Sequence, residues 1–414
     1  MAAAGGLPTA RRLESATPLA SQPGRHAPDR AAACAAAAVV AKCKLSAAFL
    51  RRWWAMQVSY FETARYQVPP SMPAEWPVPP VAYDPETGAQ AYQGMVDRVR
   101  HVEELGFDWV SLSEHHYSPR ILTPNTAVSA SYIAARSKKI KIAVLGPIVS
   151  QSNPVQVAEE LAMLDTLSEG RLVVGLLRGT TNEYLTFDLN PAEARERTTE
   201  AMELILKAWT EPQPFGWQGR HYQFRTVSVW PRPLQQPLPP TYSLGTSRES
   251  CEFAARHHIG LGVSFAPFPV VAKSTRYYRD ECARWGWEPA PEQMLYRANI
   301  LLAETDEEAE ELLEKQRHGT APFPMRAGVR DALLKLDQRN VAGEARAPNV
   351  GGVLPTSFYG GPDTVVEQIK RCREEVGVGV LDLAFQNPGA PDTGRLVHSL
   401  ELFADKVLPR IRGV

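Results

Sequence analysis

Three stretches decide the fold: FDWVSL at 107–112, IKIAVL at 140–145 and RLVVGLL at 171–177. Each is a short, nearly continuous apolar run, the pattern of a strand buried on both faces. Helical patterns separate them. Within 89–105, Met95, Val99, Val102 and Leu105 recur at i, i+4, i+7 and i+10, and Gly106 closes the segment as a glycine after a helix does. Residues 125–136 read as a second helix. A third covers 154–167, with Pro154 at its start, where the missing N–H costs nothing. Working outward, the same alternation holds. Strands are expected at 56–62, 241–244, 260–265, 295–303 and 380–385. Helices are expected at 191–209, 250–257, 269–285, 306–316, 362–376 and 393–411.

Eight strands alternating with helices mean a parallel sheet. The expected fold class is α/β, a (β/α)8 TIM barrel with insertions. No Gly-rich GxGxxG follows a strand, so a dinucleotide-binding open sheet lacks its best signal. The rhythm breaks in three places. A Pro-rich loop covers 68–85. Residues 212–240 look like an insertion with two β segments, near 221–224 and 227–230. Residues 317–360 look like another insertion.

Residues 1–55 stand apart, being rich in Ala, with six arginines and few acids. They lack the order of a secretory signal. The composition suits a transit peptide, or a disordered extension ahead of a start near Met56. We take 1–55 as disordered and 56–414 as the barrel domain.

Lys and Arg number 45 against 46 Asp and Glu, a net charge of −1. That balance provides no large positive face for nucleic acid or a membrane surface. The five cysteines, at 34, 43, 251, 282 and 372, form no CxxC pair. We expect reduced thiols and a cytoplasmic protein. No apolar run reaches the roughly 20 residues of a membrane span. Ligand grouping suited to zinc is missing, so no metal is expected.

In a barrel the chemistry sits where strands end and the following loops begin. The second strand runs into Ser113-Glu114-His115-His116-Tyr117. A histidine there can donate, accept or change charge near neutral pH; a surface histidine pair reads equally well. The fourth strand ends in Arg178-Gly179. A guanidinium forks onto phosphate and glycine permits close approach, although an Arg–carboxylate pair is an equal alternative. The fifth strand leads through Gly245 and Thr246 to Ser247 and Ser250 at a helix start. This is an anion site, or plain N-capping. Together Arg178, Ser247 and Ser250 describe one phosphate held at a barrel mouth, with His115 elsewhere on the rim.

Three stretches, WVSLSEHHYSP, SNPVQVAEELAMLDTLSEGRLVVGLLRG and SLGTSRESCEFAARH, resemble the bacterial luciferase-like flavin monooxygenases in order and spacing. The resemblance implies a TIM barrel that uses reduced FMN, supplied by a separate flavin reductase, and O2. It would oxygenate a small organic substrate through a flavin hydroperoxide. Related alternatives are a deazaflavin-dependent hydride-transfer oxidoreductase and a non-catalytic flavin-binding relative. The resemblance casts His115 as the catalytic histidine. In the mechanism this suggests, Glu114 and His116 are placed to orient it, with a structural arginine partner an equal reading of Glu114. Arg178, Gly179, Ser247 and Ser250 fall on the FMN phosphate. Leu145-Gly146 falls where the family often has a non-proline cis peptide against the flavin ring. Glu183 stands near the family's acidic residue after the Arg-Gly pair. Leu177 occupies the position of luciferase's reactive cysteine, so a luciferase proper is not expected. The loops at 68–85 and 212–240 are expected to help exclude water as a lid. A homodimer is expected through the outer helices.

Overall fold

The computed structural model describes residues 56–317, 356–386 and 393–413, apart from 70 and 74. The segment 1–55 and most of the insertion at 317–360 lie outside the described residues. The strands are β1 (Gln57–Phe61), β2 (Trp109–Leu112), β3 (Lys141–Val144), β4 (Leu172–Leu176), β5 (Phe215–Gln218), β6 (Gln223–Val227), β7 (Thr241–Leu244), β8 (Gly260–Ser264), β9 (Met294–Leu302), β10 (Thr356–Gly360) and β11 (Val380–Phe385).

Eight of these close a parallel barrel in the order β1-β2-β3-β4-β7-β8-β9-β11, and β11 pairs back onto β1. They are the eight apolar runs of the sequence. Asn299 and Ile300 of β9 pair with β11 on one edge and with β10 on the other. Strand β10 therefore continues the edge that β8 leaves after Ser264 pairs with Arg297. It was not expected, since it lies within the ambiguous 317–360 stretch.

Helix starts follow their caps. Helix α1 (Pro85–Glu104) begins four residues earlier than its periodicity suggests, because the Asp84 carboxylate accepts from Thr87 N at 2.7 Å. Asn125 and Asn153 cap α2 (Thr126–Ala134) and α3 (Pro154–Leu167) in the same way. After β4 come the short α4 (Thr181–Thr186) and then α5 (Ala194–Thr210). Helix α6 (Arg248–Arg256) follows β7.

The insertion differs from expectation in register and in place. Its hairpin is β5–β6, antiparallel, rather than strands at 221–224 and 227–230. Its half-exposed pattern gives little periodic contrast to read. It packs along α5, where the Glu200 carboxylate accepts from Trp217 Nε1, His221 N and Tyr222 N at 3.1, 2.9 and 2.9 Å. The following strap returns to the far end of the barrel, where Gln235 N donates to Asp165 at 2.8 Å and Pro240 O accepts from Val174 N. The 212–240 segment is thus a buttress on the outer wall, not a lid. The loop after β1 does sit at the mouth: Trp76 Nε1 donates to His116 O and Val78 N to Tyr117 O.

Inside the barrel, Trp109, Ala143, Leu145, Val173, Tyr242, Leu295 and Val380 form an apolar plug. Glycines make room for it. A Cβ on Gly175 would stand 2.8 Å from Leu145 and Leu244. Large side chains facing small ones fill a barrel this way. Toward the strand C-termini, Arg297 Nε donates to Asp382 at 2.5 Å and Nη2 to Ser111 at 3.1 Å, while Nη1 donates to Ser113. Ser111 also donates to Asp382 at 2.7 Å. All four are buried. No helix among the described residues is long and apolar enough to cross a membrane.

Candidate active site

Past the end of β2, the side chains of Glu114 and His116 meet each other while His115 between them meets a different partner. Glu114 and His116 point one way: His116 Nε2 lies 3.2 Å from Glu114 Oε1, which also accepts from Gln151 Nε2 at 3.0 Å. They border a cleft of about 270 Å3 with Asn125, Glu160 and Phe187. His115 points the other way, and its Nδ1 lies 3.0 Å from Glu183 Oε1. Neither Glu114 nor His116 orients His115; Glu183 contacts it instead. A T-x-x-E capping pattern at Thr180–Glu183 was the available signal.

The Glu183 side chain is 1% exposed, against 35% for His115. Burial pushes its carboxyl up. The hydrogen bond and charge of His115, with the Thr180 hydroxyl and backbone N–H, overcome this and hold it below the ordinary value. The carboxylate therefore stays ionised at neutral pH.

Arg178 and Gly179 follow β4. Gly179 has φ +89°, and a Cβ there would stand 2.7 Å from Ile148 Cγ2, so only glycine suits this turn. The Arg178 guanidinium is half-buried and has no hydrogen-bond or ion-pair partner among the described residues. Ser247 caps α6 and accepts from Ser250 N at 3.3 Å, with the two hydroxyls 3.1 Å apart. Arg195, from the first turn of α5, donates to Ser247 Oγ at 3.3 Å and pairs with Glu249 at 2.8 Å. Burial raises the Glu249 carboxyl. Its own backbone N–H, Ser247, Arg195 and Arg178 outweigh that and lower it. The sequence reading missed Arg195, which no local motif marks. Two guanidiniums, two hydroxyls and a helix N-terminus form a donor set that fits a phosphate dianion.

Leu145 and Gly146 play a different part from the one expected. Cis bonds among the described residues all precede proline, so Leu145-Gly146 is trans. Leu145 is buried in the plug, and its N–H donates to Leu112 O at 3.0 Å. A Cβ on Gly146 would stand 2.6 Å from Glu114 N, so glycine here lets the β2 and β3 exits touch. Of the aromatic residues at the strand ends, Phe61 and Phe265 stand 6.1 Å apart, with Arg297 4.1 Å from the Phe61 ring centre. Tyr60 packs on the outer side of the barrel wall.

A closed parallel barrel that gathers a histidine–carboxylate pair and a set of donors suited to an anion on its strand exits has the layout of a barrel enzyme. The family model for luciferase-like monooxygenases matches residues 50–379, and the chain belongs to that family. It is 26% identical over 234 residues to the oxygenase component of a flavin-dependent trigonelline monooxygenase from Acinetobacter baylyi, covering 55% of this chain and 64% of that one. The chain spans about half to two thirds of the length of the curated relatives it matches first. The oxygenating constituent of 3,6-diketocamphane monooxygenase from Pseudomonas putida, solved with FMN, shares the fold at a TM-score of 0.64 and 19% identity, covering 86% and 99% of the two chains. An F420-dependent secondary alcohol dehydrogenase shares it at 0.61 and 16%, with 86% and 99% covered. The barrel by itself thus accommodates both flavin and deazaflavin relatives.

Proposed function

We propose that this chain is the oxygenase of a two-component flavin monooxygenase, taking reduced FMN from a separate reductase and inserting one atom of O2 into a small organic substrate. The observation that carries the reading is the anion cradle of Arg178, Arg195, Ser247 and Ser250 beside the His115–Glu183 pair. The cradle would hold the FMN phosphate, with Gly179 letting the loop approach. Bound FMN supplies the electrons and the O2 chemistry. His115 accepts or returns a proton at its open ring nitrogen. The loop after β1, fastened to the His116 and Tyr117 backbone, helps exclude water.

Val128 and Tyr132 on α2, with Met163 and Leu167 on α3, are exposed on neighbouring helices. This patch supports a homodimer across that face. The buried, unpaired Cys251, Cys282 and Cys372 are in keeping with a cytoplasmic site of action.

The test is an anaerobic titration with reduced FMN and, in parallel, with F420, followed by rapid mixing with O2. Saturable FMN binding and reoxidation slower than that of free reduced FMN are expected. Tight F420 binding with hydride transfer and no O2 uptake would replace this reading with the deazaflavin one. Tight binding without turnover on any screened substrate would favour a non-catalytic relative.

A further inference from the structure

We infer that Glu183 is the positioning residue for His115, fixing the ring as the tautomer that carries its hydrogen on Nδ1 and leaves the Nε2 lone pair open. The tautomer follows from the contact geometry together with the ionised state of Glu183; its catalytic consequence rests on the monooxygenase reading above.

Three observations support it. First, both Glu183 oxygens are committed. Oε2 accepts from Thr180 N at 2.8 Å and from the Thr180 hydroxyl, and Oε1 faces His115 Nδ1 at 3.0 Å. Secondly, an ionised carboxylate only accepts hydrogen bonds, so the hydrogen between Oε1 and Nδ1 belongs to the imidazole. Thirdly, the carboxylate cannot swing away, since it is 1% exposed and tied into the first turn of α4. The same loop meets the neighbouring histidine, where the Phe187 ring stands edge-on to His116 at 4.8 Å between centres. Loops from β2 and β4 are thereby joined at two successive histidines. His115 Nε2 has no partner among the described residues.

The proton balance is simple. An O–H group at the mouth gives a proton to the Nε2 lone pair, and the ring becomes imidazolium. The adjacent Glu183 carboxylate offsets that charge without taking the proton. The proton later leaves from Nε2, and no electrons move. A neutral partner in place of Glu183 would lose both the tautomer preference and the charge offset.

Glu183→Gln separates this role from plain capping, because Gln serves the same capping pattern as Glu. The experiment is nitrogen-15 NMR of histidine-labelled full-length chain, with His115→Ala used for assignment. Wild-type His115 in its neutral form is expected as the Nδ1–H tautomer, and Glu183→Gln as a mixture or the Nε2–H form. Reduced-FMN affinity in the variant should stay within about twofold. H2O2 released per flavin oxidised should rise, and coupled product should fall by about 10²-fold, the low end for general acid–base catalysis. An Nε2–H ring in the wild type overturns the inference without recourse to any variant. So does an unchanged Nδ1–H ring in a folded Glu183→Gln protein. If the tautomer shifts but FMN does not bind, the positioning role stands and the monooxygenase reading falls.

Discussion

The Ser150 hydroxyl donates to the backbone carbonyl of Arg178 at 2.7 Å, tying the loop after β3 to the end of β4. Ser150 is itself held from outside. Arg197 Nε donates to its carbonyl at 3.1 Å, and the Tyr222 hydroxyl, from the β5–β6 hairpin, lies 3.4 Å from it. The insertion on the outer wall thus reaches Arg178, proposed above to hold the cofactor phosphate, through two hydrogen-bonded steps.

Ser150→Ala should loosen Arg178 without removing its charge. The expected loss of FMN affinity is about 0.5–1.5 kcal/mol, the net worth of one neutral hydrogen bond. Fluorescence quenching of FMN on titration measures it. An unchanged dissociation constant would mean that Arg178 is placed by its own loop.

Arg178→Ala removes a charged donor and should weaken FMN binding by about 1.5–3 kcal/mol. Glu249→Gln should act in the opposite sense, because its carboxylate shares Arg195 with an incoming phosphate. The pair is largely exposed, so the gain is capped at about 1 kcal/mol. Weaker binding in Glu249→Gln would show that the carboxylate holds Arg195 in place more than it competes.

His115→Ala should leave FMN affinity within about twofold, since the ring is not among the donors proposed to hold the phosphate. Coupled product should fall while flavin oxidation continues as H2O2 release. Full coupling in this variant would remove His115 from proton transfer.

Asp382→Ala leaves Arg297 buried without its anion. A broken buried pair costs about 3–5 kcal/mol, which urea unfolding would register. A loss below about 1 kcal/mol would indicate that Ser111 and Ser113 suffice to hold the guanidinium.

Glu183 has a folded pKa below its ordinary value, so its ionised form is favoured by folding. That stability is present above the unfolded carboxyl pKa, about 4.3, and is lost as pH falls through the folded value. Glu183→Gln should therefore flatten the acid side of the stability profile, and acid titration by circular dichroism compares the two curves.

The eight barrel strands were legible as apolar runs, because a strand covered by helices outside and by a packed interior inside has no polar face to show. The placement of His115, Arg178, Ser247 and Ser250 at strand exits was legible for a related reason: a parallel barrel places its strand exits on one rim, so residues just past each run share that rim. Other features were decided only by the tertiary structure. Glu183 reaches His115 across 68 positions of chain, Arg195 meets Ser247 across 52, and Arg297 finds Asp382 across 85. The trans bond at Leu145-Gly146 and the outward lodging of the β5–β6 hairpin belong with them. Local pattern records which face of an element is buried, whereas a hydrogen bond between distant loops depends on how closed backbones bring their exits together.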